Sequence, residues 1–279
     1  MNDNKDKIAV ITGAGGTLCS EMARNLAAQG YKVALLGRTA DKLQTVEEEI
    51  RHAGGMALSV SVDVSNEASV QAANKQIEEA WGPATVLING AGGNQNEALT
   101  GTTEYDEREL LDDGSVKGFF NLNMSVFQSV VDINTMGTVI PCFVFGRSMA
   151  RHKRGSIVNI ASMTSYRPLS KVAAYAIAKA GIVNFTQWLA AYLAPAHIRV
   201  NCIAPGFFLN DRSRKIMFQE DGSYTARAQG VLAHTPMKRF GEAPELIGCL
   251  NWLLSDEAAG FVTGIVVPVD GGFLSTAGV

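Results

Sequence analysis

The stretch GSIVNIASMTSYRPLSKVAAYAIAKAG, residues 155–181, decides how this chain is read. Residues 156–160 are apolar and rich in β-branched side chains, the composition of a strand buried on both faces. Ser162 stands just past the end of that strand. Tyr175 and Lys179 follow in an Ala-rich segment of good helix propensity. Four residues apart, they share one helix face. An ammonium beside a phenol favours the phenolate and is expected to lower the Tyr175 pKa. A tyrosine tuned toward working pH is a usable general acid or base. The Ser162 hydroxyl can hydrogen-bond a substrate carbonyl oxygen. By itself this spacing also suits an ordinary amphipathic helix pair, and the rest of the chain decides between the two readings.

Residues 7–12 (KIAVIT) form a short β-branched strand. Gly13-Ala14-Gly15-Gly16 follows at once, and a helical pattern over 18–29 ends at Gly30. Strand, glycine-rich turn and helix together are a dinucleotide-binding signature. Its candidates are Gly13, Gly15, Gly16, Thr17 and Leu18, where backbone can approach a pyrophosphate at a helix N-terminus. The second strand, 32–36, ends in Gly37-Arg38-Thr39. An acid there suits the ribose 2′-hydroxyl and an arginine suits a 2′-phosphate, so Arg38 favours NADP. Arg38 stacked on the adenine would serve NAD equally. The third strand, 58–62, is followed by Asp63-Val64. Asp63 is open to two roles: accepting from the adenine amino group, or capping the helix at 66–81. The fourth strand, 85–89, ends in Asn89-Gly90-Ala91-Gly92-Gly93, small residues where ligands sit in open α/β sheets.

Further helices are expected over 41–52, 126–151 and 244–256, and further strands over 197–204 and 264–269. Pro141 lies inside the second of these helices and should kink it. Asn134 in the same helix is open to two roles: satisfying backbone groups at a distortion, or holding a water that links Lys179 to solvent. Pro205-Gly206 and Asp270-Gly271-Gly272 turn the chain after the last two strands. The alternation implies an α/β fold, one doubly wound parallel sheet of about seven strands, in a single domain over 1–279. Two excursions interrupt it at ligand-facing strand ends. Residues 94–123 are acid-rich and read as an active-site flap, and residues 207–232 read as a substrate loop. A surface or subunit-contact excursion is the plainer reading of 94–123.

With 18% charged residues and a net charge of −3, nothing points to nucleic-acid binding or an electrostatic membrane anchor. No signal peptide is apparent, and no apolar run reads as long enough to span a bilayer. Cys19, Cys142, Cys202 and Cys249 are widely separated, as in a reducing, cytoplasmic setting. His52, His152, His197 and His234 show no ligand spacing, so no metal site is expected.

Thr12-Gly13 with its following glycines, Asp63, Asn89-Gly90-Ala91-Gly92, Asn134, Ser162, Tyr175-x-x-x-Lys179, Pro205-Gly206 and Asp270-Gly271-Gly272 stand in characteristic order and spacing. Over nearly the whole chain they resemble the short-chain dehydrogenase/reductase family. The resemblance implies a Rossmann fold, a nicotinamide cofactor, NAD or NADP, and a small-molecule substrate. It also implies a homotetramer, using the long helices around Asn134 and Tyr175. Catalysis would rest on Asn134, Ser162, Tyr175 and Lys179. The cofactor would meet the glycine-rich turn, Arg38, Asp63, Val64, Asn89 to Gly92, Tyr175, Lys179, Pro205 and Gly206. Two departures stand out. Thr17 and Cys19 replace the last two glycines of the family's TGxxxGxG turn, and Gly90 replaces the second asparagine of its NNAG motif.

The stretches TGAGGTLCSEMA, INGAGGN, NFTQWLA, RVNCIAPGFFLN, LAHTPMKRFGE and FVTGIVVPVDGGF resemble a branch of the family acting on D-mannonate or fructuronate. That implies a sugar-acid or polyol substrate. A carboxylate needs a cation, and Arg167, Arg212 and Arg214 are candidates, with Asn94 as a hydroxyl partner. The rival readings are a ketoreductase for gluconate, a polyol or a 3-oxoacyl thioester, and a nucleotide sensor without catalysis. The intact catalytic set argues against the sensor.

Overall fold

The computed structural model describes residues 4, 6–111 and 113–276, the side chains of residues 211 and 212 excepted. Seven strands form one sheet: β1 Ile8–Thr12, β2 Lys32–Gly37, β3 Met56–Ser61, β4 Val86–Asn89, β5 Gly155–Ile160, β6 Ile198–Pro205 and β7 Val266–Val269. All pairs are parallel, in the order β3-β2-β1-β4-β5-β6-β7. The winding reverses between β1 and β4, which opens a crevice beyond their C-terminal ends.

Successive residues of a strand face opposite sides, so a sheet covered on both faces needs continuous apolar runs. β1 shows the split. Ala9 and Ile11 pack with α1 (Thr17–Ala28), α2 (Ala40–His52) and α8 (Ile247–Leu254), while Ile8 and Val10 face α3 (Glu67–Trp81), α4 (Met124–His152) and α5 (Ala173–Leu193). Apart from the helix expected over 244–256, the expected strands and helices are present, with ends shifted by one or two residues.

Several local expectations change. The 207–232 excursion carries two helices, α6 (Asp211–Met217) and α7 (Ala226–Ala233), which close a small apolar core around Leu209, Met217, Ala228 and Phe240. The helix expected over 244–256 breaks into a 3-10 turn at Ala243–Leu246, then α8, then α9 (Asp256–Ala259). α4 runs without interruption through the buried Pro141. It is also, by length and composition, apolar enough to cross a membrane, contrary to the expectation that no such run exists. Half of its apolar window is buried inside the fold, against the sheet. Asn66 caps α3 by accepting from Ser69 N at 3.0 Å, which removes Asp63 from that role.

Candidate active site

The chain leaves β5 through Ser162, whose buried Oγ accepts from Thr164 N at 3.2 Å and so starts a 3-10 turn, Met163–Ser165. Tyr175 enters on the first turn of α5, its phenol hydrogen-bonded to Ser162. Its ring joins the apolar group of Ala98, Val126, Phe127, Val130, Val131 and Ala174. Lys179 lies one turn on, 4% exposed, with Nζ 5.7 Å from the centroid of that ring. Nζ donates to Ile160 O at 2.7 Å, tying α5 to the end of β5. Ser165 Oγ donates to Lys179 O at 2.7 Å and closes the same loop. Sequence reasoning missed Ser165, because a serine in a turn carries no distinguishing signal.

Asn134 is fully buried in α4. Its Nδ2 donates to Val130 O at 2.8 Å and Gly93 O at 2.7 Å, while Oδ1 accepts from Gly93 N at 3.1 Å. Both amide hydrogens are therefore used on backbone, and the side chain pins the turn after β4. Of its two open roles, the structure shows the satisfaction of backbone groups.

The expected lowering of the Tyr175 pKa is not found. Burial among apolar neighbours pushes the phenol up, and the Ser162 hydrogen bond offsets only part of this. Burial also pushes Lys179 down, to about 8. Its ammonium is directed at Ile160 O rather than at the phenol oxygen.

Thr12 organises the nucleotide crevice. Its buried Oγ1 accepts from Gly90 N and Ala91 N, each at 3.1 Å, so the end of β1 holds the turn after β4. Gly13 stands at φ 69°, and a Cβ there would lie 2.9 Å from Ala91. Gly16 caps α1 without a side-chain hydrogen bond, and no acid lies in the first turn. The leading amides of α1, over Thr17 and Leu18, thus have no side-chain acceptor, which suits a pyrophosphate. This glycine-lined, uncapped helix start fits a dinucleotide.

Around it stand the remaining candidates. Arg38 is exposed past β2, and its positive charge reaches Asp63. Asp63 Oδ1 accepts from Ser65 N at 3.0 Å and Ser65 Oγ at 2.6 Å, which lowers its carboxyl. Val64 is buried against α4, and Pro205-Gly206 ends β6, with Gly206 N on Val269 O at 2.9 Å. Asn89 turns inward: Nδ2 donates to Asn159 Oδ1 at 2.9 Å, and Asn159 donates to Thr186 Oγ1 at 2.9 Å. Its side chain belongs to a buried ladder between β4, β5 and α5.

The two motif departures meet in space. A Cβ on Gly90 would lie 2.1 Å from Cys19 Sγ. The cysteine in α1 occupies the room that a side chain at position 90 would need. A side chain at 90 would force the Cys19 thiol to shift.

The substrate candidates divide. Asn94 opens the 94–123 segment just beyond Gly92-Gly93, with Oδ1 accepting from Gln95 N at 3.0 Å. Arg167 is corrected: its Nη1 donates to Phe273 O and Thr276 O, so it fastens the turn after β7. Arg214 pairs with Glu242 at 3.5 Å on the exposed side of α6. The side chain of Arg212 lies outside the described residues.

Gly90→Ala should lower stability by about 1–3 kcal/mol through overpacking against Cys19. Cys19→Gly in the same chain should recover most of that loss, read as a non-additive pair of melting shifts. Additive shifts would show that the two sites are independent.

Stability should also fall above pH 9. Burial pushes Cys19, Cys142 and Cys202 up to about 12 from 9.0. The folded chain keeps these protons after the unfolded chain has lost them. Their contribution is full below pH 9 and drains as pH climbs toward 12. Lys179, lowered from 10.5 to about 8, acts oppositely between those values. Three thiols outweigh one amine, so the melting temperature should drop from pH 9 to about pH 11. Lys179→Met should steepen the drop, and a rising profile would contradict the assignment.

A family model for the short chain dehydrogenases matches residues 7–221. An uncharacterized oxidoreductase of Bacillus subtilis is 45% identical over 273 residues, covering 98% of this chain and 96% of its own. The 2-dehydro-3-deoxy-D-gluconate 5-dehydrogenase of Formosa agariphila is 33% identical over 277 residues, 99% of this chain and 96% of the relative. The crystal structure of a proposed D-mannonate oxidoreductase from Haemophilus influenzae, with bound NAD, is similar at a TM-score of 0.93 and 40% identity. That likeness covers 100% of this chain and 99% of that one. With the doubly wound sheet, the glycine-lined crevice and the serine–tyrosine–lysine edge, these likenesses establish that the chain belongs to the short chain dehydrogenase family of NAD(P)-dependent oxidoreductases acting on CH–OH groups.

Proposed function

We propose that the enzyme interconverts a sugar acid and its keto acid, of the D-mannonate/D-fructuronate type. The observation that carries this reading is the end-to-end likeness to the Haemophilus influenzae structure. The Formosa relative, named for another sugar acid, supports the same substrate class.

The bound reduced nicotinamide would supply the hydride that reaches the ketone carbon. The chain's own residues handle the oxygen. Tyr175 gives its proton to the developing alkoxide, and its raised pKa keeps that proton on the phenol at neutral pH. Ser162 hydrogen-bonds the same oxygen as charge grows on it. Lys179 holds the α5 face against β5 and places a titratable amine 5.7 Å from the ring. Asn134 fixes the turn after β4 through Gly93. The 94–123 segment covers this edge, since Ala98 packs with the Tyr175 ring, and α6 and α7 form a second wall. Arg38 is the residue that would meet a 2′-phosphate and give NADP its affinity, while the Haemophilus structure holds NAD. We also read the chain as a homotetramer. Phe143, Ile177, Trp188 and Tyr192 leave an exposed apolar surface on α4 and α5 that symmetric partners would cover.

Purified protein should oxidise NADPH or NADH with D-fructuronate and leave 5-ketogluconate untouched. Tyr175→Phe should keep cofactor binding and lose turnover by roughly 10²–10⁴-fold. Activity on 5-ketogluconate alone would discard the mannonate reading, and a variant retaining a tenth of the activity would discard Tyr175 as the acid. Sedimentation should give the mass of four chains, and a monomer would exclude the tetramer.

A further inference from the structure

The 94–123 segment is acid-rich, yet two lysines hold its first half: Lys171 ties it to the start of α5, and Lys117 ties it to the segment's own second half. Lys171 lies four residues before Tyr175, with φ at 74°. Its carbonyl accepts from Thr100 N at 3.2 Å, and its Nζ donates to Gly101 O at 2.5 Å. Lys117 approaches from the far side of the same segment. Its carbonyl accepts from Gly101 N at 2.6 Å, and its Nζ donates to Asn96 O at 2.6 Å. Between these anchors lies Ala98, buried in the group that holds the Tyr175 ring. Just upstream, Gly93 is held by Asn134. Both ammonium groups therefore sit on the short stretch of chain that covers the catalytic phenol.

Among the described residues, neither lysine has a carboxylate within ion-pair distance. Three of the segment's acids are engaged locally. Asp106 pairs with Arg108 at 2.6 Å. Glu109 accepts from Phe120 N at 2.9 Å and Asp106 N at 3.3 Å. Asp113 accepts from Ser115 N at 2.9 Å. An ammonium has three donors, and each lysine spends one on a carbonyl. The remaining donors and the two positive charges flank Ala98, which packs in the group that holds the Tyr175 ring.

We propose that Lys171 and Lys117 recognise the carboxylate of the substrate and set the enzyme's preference for sugar acids over neutral polyols. This rests on the sugar-acid reading and places the cations on the stretch around Ala98 that packs with the Tyr175 ring, whereas Arg167 fastens the turn after β7 and Arg214 pairs with Glu242. Recognition by point charges on flexible stems, rather than by a bidentate arginine fork, would tolerate several sugar-acid geometries.

Titration calorimetry of D-mannonate and D-mannitol into the full-length enzyme saturated with NADH tests it. The wild type should bind D-mannonate at least tenfold more tightly than D-mannitol. Lys171→Gln and Lys117→Gln should each weaken D-mannonate binding on the order of tenfold, as expected for a lost charge-assisted hydrogen bond. Both should leave D-mannitol binding and the melting temperature unchanged, and Lys171→Arg should keep the preference. Both lysines lie on the surface side of the fold, so the variants should fold. A wild type that binds the two ligands equally, or a doubly substituted chain that keeps its preference, overturns the proposal. Equal weakening of both ligands overturns it as well, since that reports a lysine that only fastens the segment. Tight, lysine-dependent binding of D-mannonate with no oxidation of it in a separate assay that supplies NAD or NADP would instead defeat the sugar-acid reading and leave the carboxylate site standing.

Discussion

One hydroxyl sets the geometry on which the rest depends. Thr12 Oγ1 accepts from two successive amides, Gly90 and Ala91, at the point where the sheet reverses its winding. Parallel strands diverge at a switch point, and the peptide groups beyond them lose their ladder partners. A β-branched side chain with an acceptor oxygen at the end of β1 satisfies two of those groups. It also sets the distance between the cofactor turn after β1 and the turn after β4. Gly13, with no Cβ to press on Ala91, lets the two turns close.

The second constraint is a buried amine. Lys179 is 4% exposed and finds one carbonyl, Ile160 O, at the end of the strand that leads to Ser162. Burial of a charge is unfavourable unless it is hydrogen-bonded, and the lowered pKa of Lys179 records the remaining penalty. What this achieves is position. α5 is drawn onto β5, so the phenol one turn earlier falls beside the serine hydroxyl. The same packing raises the Tyr175 pKa by taking the ring partly out of water. Beneath it, Asn89, Asn159 and Thr186 link β4, β5 and α5 through polar side chains in an otherwise apolar layer. Such a ladder accepts one register only, because a slip would orphan several buried groups at once.

The crevice shows how a motif can change without losing its shape. Cys19 and Gly90 each depart from the family pattern, and the two positions meet in space. Read one position at a time, they are two separate departures from the motif. In space they are one exchange of volume between α1 and the turn after β4. Arg167 teaches the reverse lesson. Its place between Ser162 and Tyr175 in sequence suggests a substrate contact, and its guanidinium instead holds the turn after β7.

Much of this protein was legible in its residues, for a physical reason: the features that were read are local. Largely apolar runs of four to eight residues mark the seven strands, glycines mark the turn after β1, and the Tyr175–Lys179 spacing marks a helix face. From these alone came the doubly wound sheet, the cofactor class and the grouping of Ser162 with Tyr175 and Lys179. Non-local facts were decided by the tertiary structure. Whether Asp63 or Asn66 caps α3, which way the Tyr175 pKa moves, where Arg167 points and what Asn134 holds depend on partners distant in sequence or on burial. The helices α6 and α7 lay hidden because their apolar residues pack on Phe240, supplied by a later stretch of chain. A pattern with a fixed spacing can be read along a line. A contact, a desolvation or an exchange of volume exists only once the chain has closed on itself.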